Sequence, residues 1–230
     1  MPFENTFNIN PEQTKLVIFD VDGTLYNQSK LRKLILKSLL THYVKRPAKI
    51  KELYILHRFR KLRENHAGYC GNHLNKEQYD WCASDTNTKI EKVKGIIEKW
   101  VYTEPLQYLS DCIYPGVKNL FDAMKAKNIK TAIFSDYPAH QKLESLGLAA
   151  DLVVSATDSH INCFKPNPKG INYICETLSI SKKNTVFIGD RFSRDAVCAM
   201  NATVPYFIIP ENEKQVTIFF SNLIKQFGSI

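Results

Sequence analysis

The sequence predicts an α/β fold: a doubly wound, Rossmann-like parallel sheet with an inserted helical cap domain. Three observations predict it. Five short apolar runs are spread along the chain, and segments of helical spacing separate them. One stretch of about 80 residues, 28–110, is helical in pattern throughout and too long for a simple crossover loop.

The first run, Lys15 to Asp20 (KLVIFD), is short, β-rich and ends on a carboxylate, as a buried strand would. Similar runs lie at Thr131 to Ser135, Leu152 to Ser155, Thr185 to Gly189 and Val204 to Ile209. Apolar and polar residues do not alternate in them, so both sheet faces should be covered. Between them, Gly116 to Lys127 places Val117, Leu120, Phe121 and Met124 at helical spacing, and Asn128 suits a left-handed helix end. Further helices are expected at Ala139 to Leu146 (ended by Gly147), Pro168 to Leu178, Ser193 to Met200 and Lys214 to Phe227. Strand and helix in alternation imply parallel strands with right-handed crossovers.

In the long helical stretch, Leu31 to Val44 is one apolar-faced segment and Ile50, Leu53, Tyr54, His57 and Leu62 mark another. Ile90, Val93, Ile97, Trp100 and Val101 mark a third. The expected division is therefore an α/β catalytic core from residues 1–27 and 111–230, with 28–110 as a helical cap domain.

Hydrophobic residues at 44% and charged residues at 23% are ordinary for a globular protein. No apolar run reaches the roughly 18 residues of a membrane span. Met1 to Gln13 is polar and lacks a signal-peptide core, so a cytoplasmic protein is expected. The six cysteines form no CxxC pair and read as reduced thiols. His66, Cys70, His73 and Cys82 are zinc-type ligands, but their spacing matches no common site, and a surface turn is the preferred reading. The net charge of +8 is uneven, with twelve Lys and Arg against one acid, Glu52, between Lys30 and Arg63. That stretch reads as a solvated helical face, as a lure for a phosphorylated substrate, or as a contact for nucleic acid or an acidic membrane surface.

Ligands of an open parallel sheet bind beyond the carboxyl ends of its strands. The first strand delivers Asp20, Asp22, Gly23 and Thr24; the second delivers Ser135 and Asp136. A later loop brings Lys165, and the fourth strand brings Asp190, Arg191 and Asp195. Several carboxylates in one crevice repel one another, which a hard divalent cation with oxygen ligands resolves. Asp20 can then attack phosphorus, Asp22 can protonate a leaving oxygen, and Gly23 lets the backbone turn closely around a phosphate.

These residues resemble the haloacid dehalogenase superfamily, whose four motifs are matched by DVDGT at Asp20 to Thr24, by Ser135, by Lys165 in FKPNP, and by GDRFSRD at Gly189 to Asp195. The resemblance covers residues 14–26 and 111–209, and the helical insertion sits where members with a C1-type cap carry theirs. It implies a phosphatase with Asp20 as nucleophile and Asp22 as general acid/base. Mg2+ would be held by Asp20, the Asp22 backbone carbonyl and Asp190, with Asp195 in support. Gly23, Thr24, Ser135 and Lys165 would hold the phosphate, and Lys165 would also pair with Asp20. Asp136 departs from the Asn many relatives carry and is expected to turn away and cap the next helix. Arg191 is a weaker candidate.

The expected partner is a small phosphorylated substrate, with no membrane span and no expected nucleic-acid partner. Asp22 argues against attack on carbon, as in the dehalogenases. A sugar phosphomutase on the same core, or a non-catalytic basic module binding polyanions, are the alternatives. Tyr26, Gln28, His57 and Arg58 are candidates to face the crevice from the cap side, Tyr26 being the nearest in chain.

Overall fold

The structure, a computed structural model, describes residues 11–228. The expectation for Met1 to Gln13 falls, for residues 1–10, outside them. Five strands, β1 (Leu16–Phe19), β2 (Lys130–Ser135), β3 (Leu152–Ser155), β4 (Thr185–Gly189) and β5 (Tyr206–Ile208), form one sheet in the order β3-β2-β1-β4-β5. Every pairing is parallel, and Phe19 lies level with Ile133 on one side and Ile188 on the other. All four residues of β1 and all five of β4 are buried, as their unbroken apolar character requires.

The two faces of the sheet carry separate cores. Val17, Phe19, Ile133, Val186 and Ile188 face helices α6 (Val117–Ala126), α7 (His140–Leu146) and α10 (Glu213–Gly228). Leu16, Ile18, Phe134 and Phe187 face α8 (Lys169–Thr177) and α9 (Val197–Ala202). Odd and even positions of one strand thus serve opposite layers. Asn128 and Gly147 take the left-handed conformation expected of them at helix ends.

Some boundaries differ from the sequence reading. The last strand is three residues rather than six, because Pro205 has no N–H for the ladder, although its carbonyl accepts from Phe187 N at 2.8 Å. The expected helix at Ser193 to Met200 begins instead as a π-turn, Phe192–Ala196, before α9.

Between β1 and β2 the described chain is helical: α1 (Gln28–Lys45), α2 (Glu52–Asn65), α3 (Leu74–Asp85), α4 (Ile90–Ile97), a π-turn at Glu98–Thr103 and α5 (Leu106–Cys112). Tyr43, Ile55, Leu56, Phe59, Tyr79, Cys82, Val93, Ile97 and Trp100 form a third core of their own. Leu31 and Ile35 of α1, with Leu109 and Cys112 of α5, pack instead on the sheet-side core. Among the described residues no helix is long and apolar enough to cross a membrane.

One cysteine expectation is corrected. Cys70 and Cys163 form a disulfide across 93 residues of sequence. Residues 68–71 run antiparallel to 162–165, with Gly71 N bonded to Asn162 O, Phe164 N to Tyr69 O and Gly68 N to Lys165 O. Local spacing gives no sign of that pairing. Cys82, Cys112, Cys175 and Cys198 are free and buried.

Helix α8 meets β2 very closely at Gly170, where an added Cβ would lie 2.2 Å from the buried Phe134 ring. Gly170→Ala gains up to about 1 kcal/mol of helix propensity, but overpacking a filled core costs about 1–3 kcal/mol. The substitution is expected to lower the urea midpoint; an unchanged or higher midpoint would show that α8 slides freely on the sheet.

Candidate active site

The carboxyl ends of β1, β2 and β4 open onto one crevice. Asp20 follows β1 directly and is 5% exposed. Gly23 has φ +98, and a Cβ there would meet the Asp190 carboxylate at 2.3 Å, so only glycine lets the two loops approach this closely. The loop between β3 and α8 carries Lys165 beneath the crevice, where it is 1% exposed.

Lys165 Nζ donates to Asp20 Oδ1 and to Asp195 Oδ1, each at 2.6 Å. Thr24 Oγ1 donates to the other Asp20 oxygen at 3.1 Å. Asp195 Oδ2 accepts from the backbone N–H groups of Asp190 at 3.2 Å and Arg191 at 2.9 Å. Asp195 is thereby occupied in holding the loop after β4. Asp190 is not so occupied: its Oδ1 is buried with no hydrogen-bond partner among the described residues.

Burial disfavours the Lys165 ammonium, but the charges of Asp195 and Asp20 outweigh it and hold the amine well above its usual range. Burial also works on the acids. It pushes Asp20 up to about 7, opposed by Lys165 and assisted by Asp195 and Asp22. Burial and then the charges of Asp20 and Asp195 push Asp190 up to about 8. One ammonium is too little positive charge for three carboxylates.

Asp20, Asp190 and Asp195 each offer an oxygen within 4.8 Å of the others. This all-oxygen set, with the orphaned Asp190 Oδ1 in it, fits magnesium. Among the described residues no other group of three or more such side chains meets that spacing. Among the described residues, the His66, Cys70, His73 and Cys82 side chains do not come together, and Cys82 is buried within α3 rather than in a surface turn. Cys70 is in the disulfide, Cys82 Sγ points to Ile55 O, His66 stacks on Trp81 at 3.8 Å, and His73 is exposed.

Ser135 is fully buried at the end of β2, and its Oγ accepts from Tyr137 N at 3.2 Å. Asp136 does not cap α7, which begins without a side-chain cap. Its Oδ1 accepts from Lys165 N at 3.1 Å, and Arg191 lies 3.6 Å from its other oxygen. The expected helix cap loses to a charge-assisted bond that braces the lysine loop. Of the cap-side candidates, Tyr26 reaches the crevice, donating from its hydroxyl to Asp22. Gln28 bonds Arg32, Arg58 pairs with Asp85, and His57 is exposed.

Lys142 was not foreseen. Its Nζ donates to both oxygens of Asp22 at 2.6 Å, and it is 7% exposed. Burial would raise the Asp22 carboxyl, but Lys142 outweighs it and holds the group below its ordinary value. A signal was present: Lys142 sits between Ala139 and Leu146 on the apolar stripe of α7, and lysine is almost never buried unless paired. Arg63 of α2 was missed too. It lies between the Tyr137 and Phe164 rings, 4.0 and 4.4 Å from their centres, and donates to Asp136 O at 2.6 Å. Beside it, Glu64 pairs with Arg191 and Arg194.

A model of haloacid dehalogenase-like hydrolases matches residues 14–202. Phosphoglycolate phosphatase from Haemophilus influenzae is 25% identical over 200 residues, covering 83% of this chain and 82% of its own. The crystal structure of a HAD phosphatase from Thermococcus onnurineus superposes with TM-score 0.58 at 22% identity, covering 86% of this chain and 87% of that one. β-Phosphoglucomutase from Clostridium difficile gives TM-score 0.60 at 17% identity, covering 94% and 98%. At these identities the two structures speak for the fold alone.

Asp190→Asn keeps the shape but removes an acid whose ionisation burial and its neighbours oppose, and with it the cost of burying that acid. In metal-free protein it is expected to raise the melting temperature by about 2–4 °C, the effect of about 1 kcal/mol in a chain of this size. It should also abolish the rise that magnesium causes in the parent protein. A variant whose melting still responds fully to magnesium would remove Asp190 from the metal site.

Proposed function

This chain belongs to the haloacid dehalogenase-like hydrolase family, and from that premise we propose a magnesium-dependent phosphatase acting on a small phosphate monoester through an aspartyl-phosphate at Asp20. The observation that carries this reading is the Asp20 carboxylate at a strand end, tethered by Lys165 at 2.6 Å and grouped with Asp190 and Asp195. The phosphoglycolate phosphatase relatives support a small phosphorylated substrate. We further propose that residues 28–110 act as a cap domain on a core formed by 1–27 and 111–230.

One Asp20 oxygen forms a bond to phosphorus as the bond to the leaving oxygen breaks, and Asp22, which must first take up a proton from water against the pull of Lys142, passes that proton to the leaving oxygen. Water then attacks phosphorus, gives its proton to Asp22, and displaces the Asp20 carboxylate with release of phosphate. Lys165 and Ser135, with the backbone turn at Gly23 and Thr24, receive the phosphoryl oxygens. Asp20, Asp190 and the Asp22 carbonyl would hold magnesium with support from Asp195, and the bound ion would neutralise phosphoryl charge and relieve the carboxylate repulsion. Lys142 and Tyr26 fix the direction of the Asp22 carboxylate, which otherwise hangs on a glycine-containing loop.

Asp20→Asn is expected to lower turnover by roughly 10³-fold or more with the fold intact; circular dichroism checks the fold, and more than a few percent residual activity would remove the aspartyl-phosphate. EDTA should abolish hydrolysis and magnesium restore it, with calcium a poor substitute because it favours more ligands and longer bonds. A panel of phosphoglycolate, sugar phosphates, nucleotides and pyrophosphate identifies the substrate, and isomer detection on a β-glucose phosphate separates hydrolysis from mutase chemistry.

If Lys142 serves the proton donor, Lys142→Met should reduce kcat/KM on an alkyl monoester by about 10²-fold. The loss should be far smaller on p-nitrophenyl phosphate, whose phenolate leaves without a proton. Equal losses on both substrates would mean that Lys142 supports the crevice in some other way.

A further inference from the structure

Helix α1 is apolar on two sides. Leu31, Ile35 and Tyr43 are buried, whereas Leu36, Leu40 and Val44, spaced four residues apart, form a second stripe that stays in water. Val44 is 80% exposed, and Leu36 and Leu40 are more than half exposed. Ile50 and Tyr54, also more than half exposed, follow within ten residues of Val44. Five of the nine large exposed hydrophobic side chains among the described residues therefore fall between positions 36 and 54.

The same segment carries the densest positive charge in the chain. Lys33, Lys37, Lys45, Arg46, Lys49 and Lys51 are all exposed. None of them forms an ion pair among the described residues. Glu52, the one acid of the stretch, accepts from the Tyr43 hydroxyl at 3.0 Å. Exposed cations and exposed apolar side chains are thus interleaved along this segment.

Three occupants differ in what they satisfy. Nucleic acid would neutralise the lysines and leave Leu36, Leu40 and Val44 in water. A second copy of the chain would cover the apolar stripe but set unpaired cations against one another. An anionic bilayer satisfies both: lysine stems lie along the interface with their ammonium groups among lipid phosphates, while the leucines, valine and tyrosine enter the acyl boundary. We propose that this face of α1 and the start of α2 docks the protein on an anionic phospholipid membrane surface, as a peripheral contact that spans nothing.

Flotation of the full chain with vesicles tests this. Binding is expected to vesicles of equimolar phosphatidylglycerol and phosphatidylcholine and not to phosphatidylcholine alone. The double substitution Leu40→Asp, Val44→Asp should weaken binding about tenfold or more, and Lys37→Glu, Lys45→Glu should do the same, because both parts of the contact are needed. All four positions are exposed, and circular dichroism confirms that each variant is folded. Failure of the parent protein to float overturns the proposal. So does association that RNA supports equally and that the Leu40 and Val44 pair leaves unchanged, which would mark a polyanion surface. Concentration-dependent dimers that Leu40→Asp, Val44→Asp disperses, without vesicle binding, would assign the stripe to self-association instead.

Discussion

The buried ammonium of Lys165 is the interaction on which the crevice depends. A lysine 1% exposed has no access to water for its charge, so it must be paid for by partners that arrive with it. Two carboxylates do so, each at 2.6 Å, and they come from opposite parts of the chain: Asp20 from the end of β1 and Asp195 from the turn after β4. The ion pairs tie three loops together at the mouth of the sheet. Asp195 in turn receives the N–H groups of Asp190 and Arg191, which fixes the direction of the loop that carries Asp190. Removing Lys165 would leave three acids facing one another in a site of low polarity.

That arrangement also explains why the crevice is unsatisfied as it stands. The lysine neutralises about one charge, and both Asp20 and Asp190 are pushed toward neutral protonation by burial and by their neighbours. A crevice arranged in this way stores electrostatic strain that a cation and a phosphoryl group can relieve together. Asp22 stands apart in this respect, because Lys142 holds it as a carboxylate and directs it.

The helical insertion is joined to the sheet half at more than its two chain crossings. Arg63 is held between Tyr137 and Phe164, and Glu64 binds Arg191 and Arg194. The Cys70–Cys163 disulfide and the backbone bonds around it fasten the segment after α2 to the loop carrying Lys165. Contacts of this kind link whatever happens over the crevice to the placement of the lysine beneath it. On α1, by contrast, Leu36, Leu40 and Val44 are exposed, and Lys33, Lys37 and Lys45 form no ion pair among the described residues.

The sequence alone determined the parallel sheet and which polar residues stand at its strand ends. Strands buried on both faces must be apolar without alternation, and the strand-end rule then collects Asp20, Asp22, Ser135, Lys165, Asp190 and Asp195 into one place. Both signals are local or follow from chain order, so they survive without coordinates. What only the tertiary structure decided were relations between residues far apart. Spacing showed neither the partner of Cys70, nor that Asp136 would brace Lys165 rather than cap α7, nor that Arg63 would leave a basic stretch to lie between two core aromatics. Lys142 falls between the two cases: its place on an apolar stripe was legible, but its partner Asp22 lies 120 residues away. Burying a charge is decided by the group that meets it, and that meeting is a property of the folded chain.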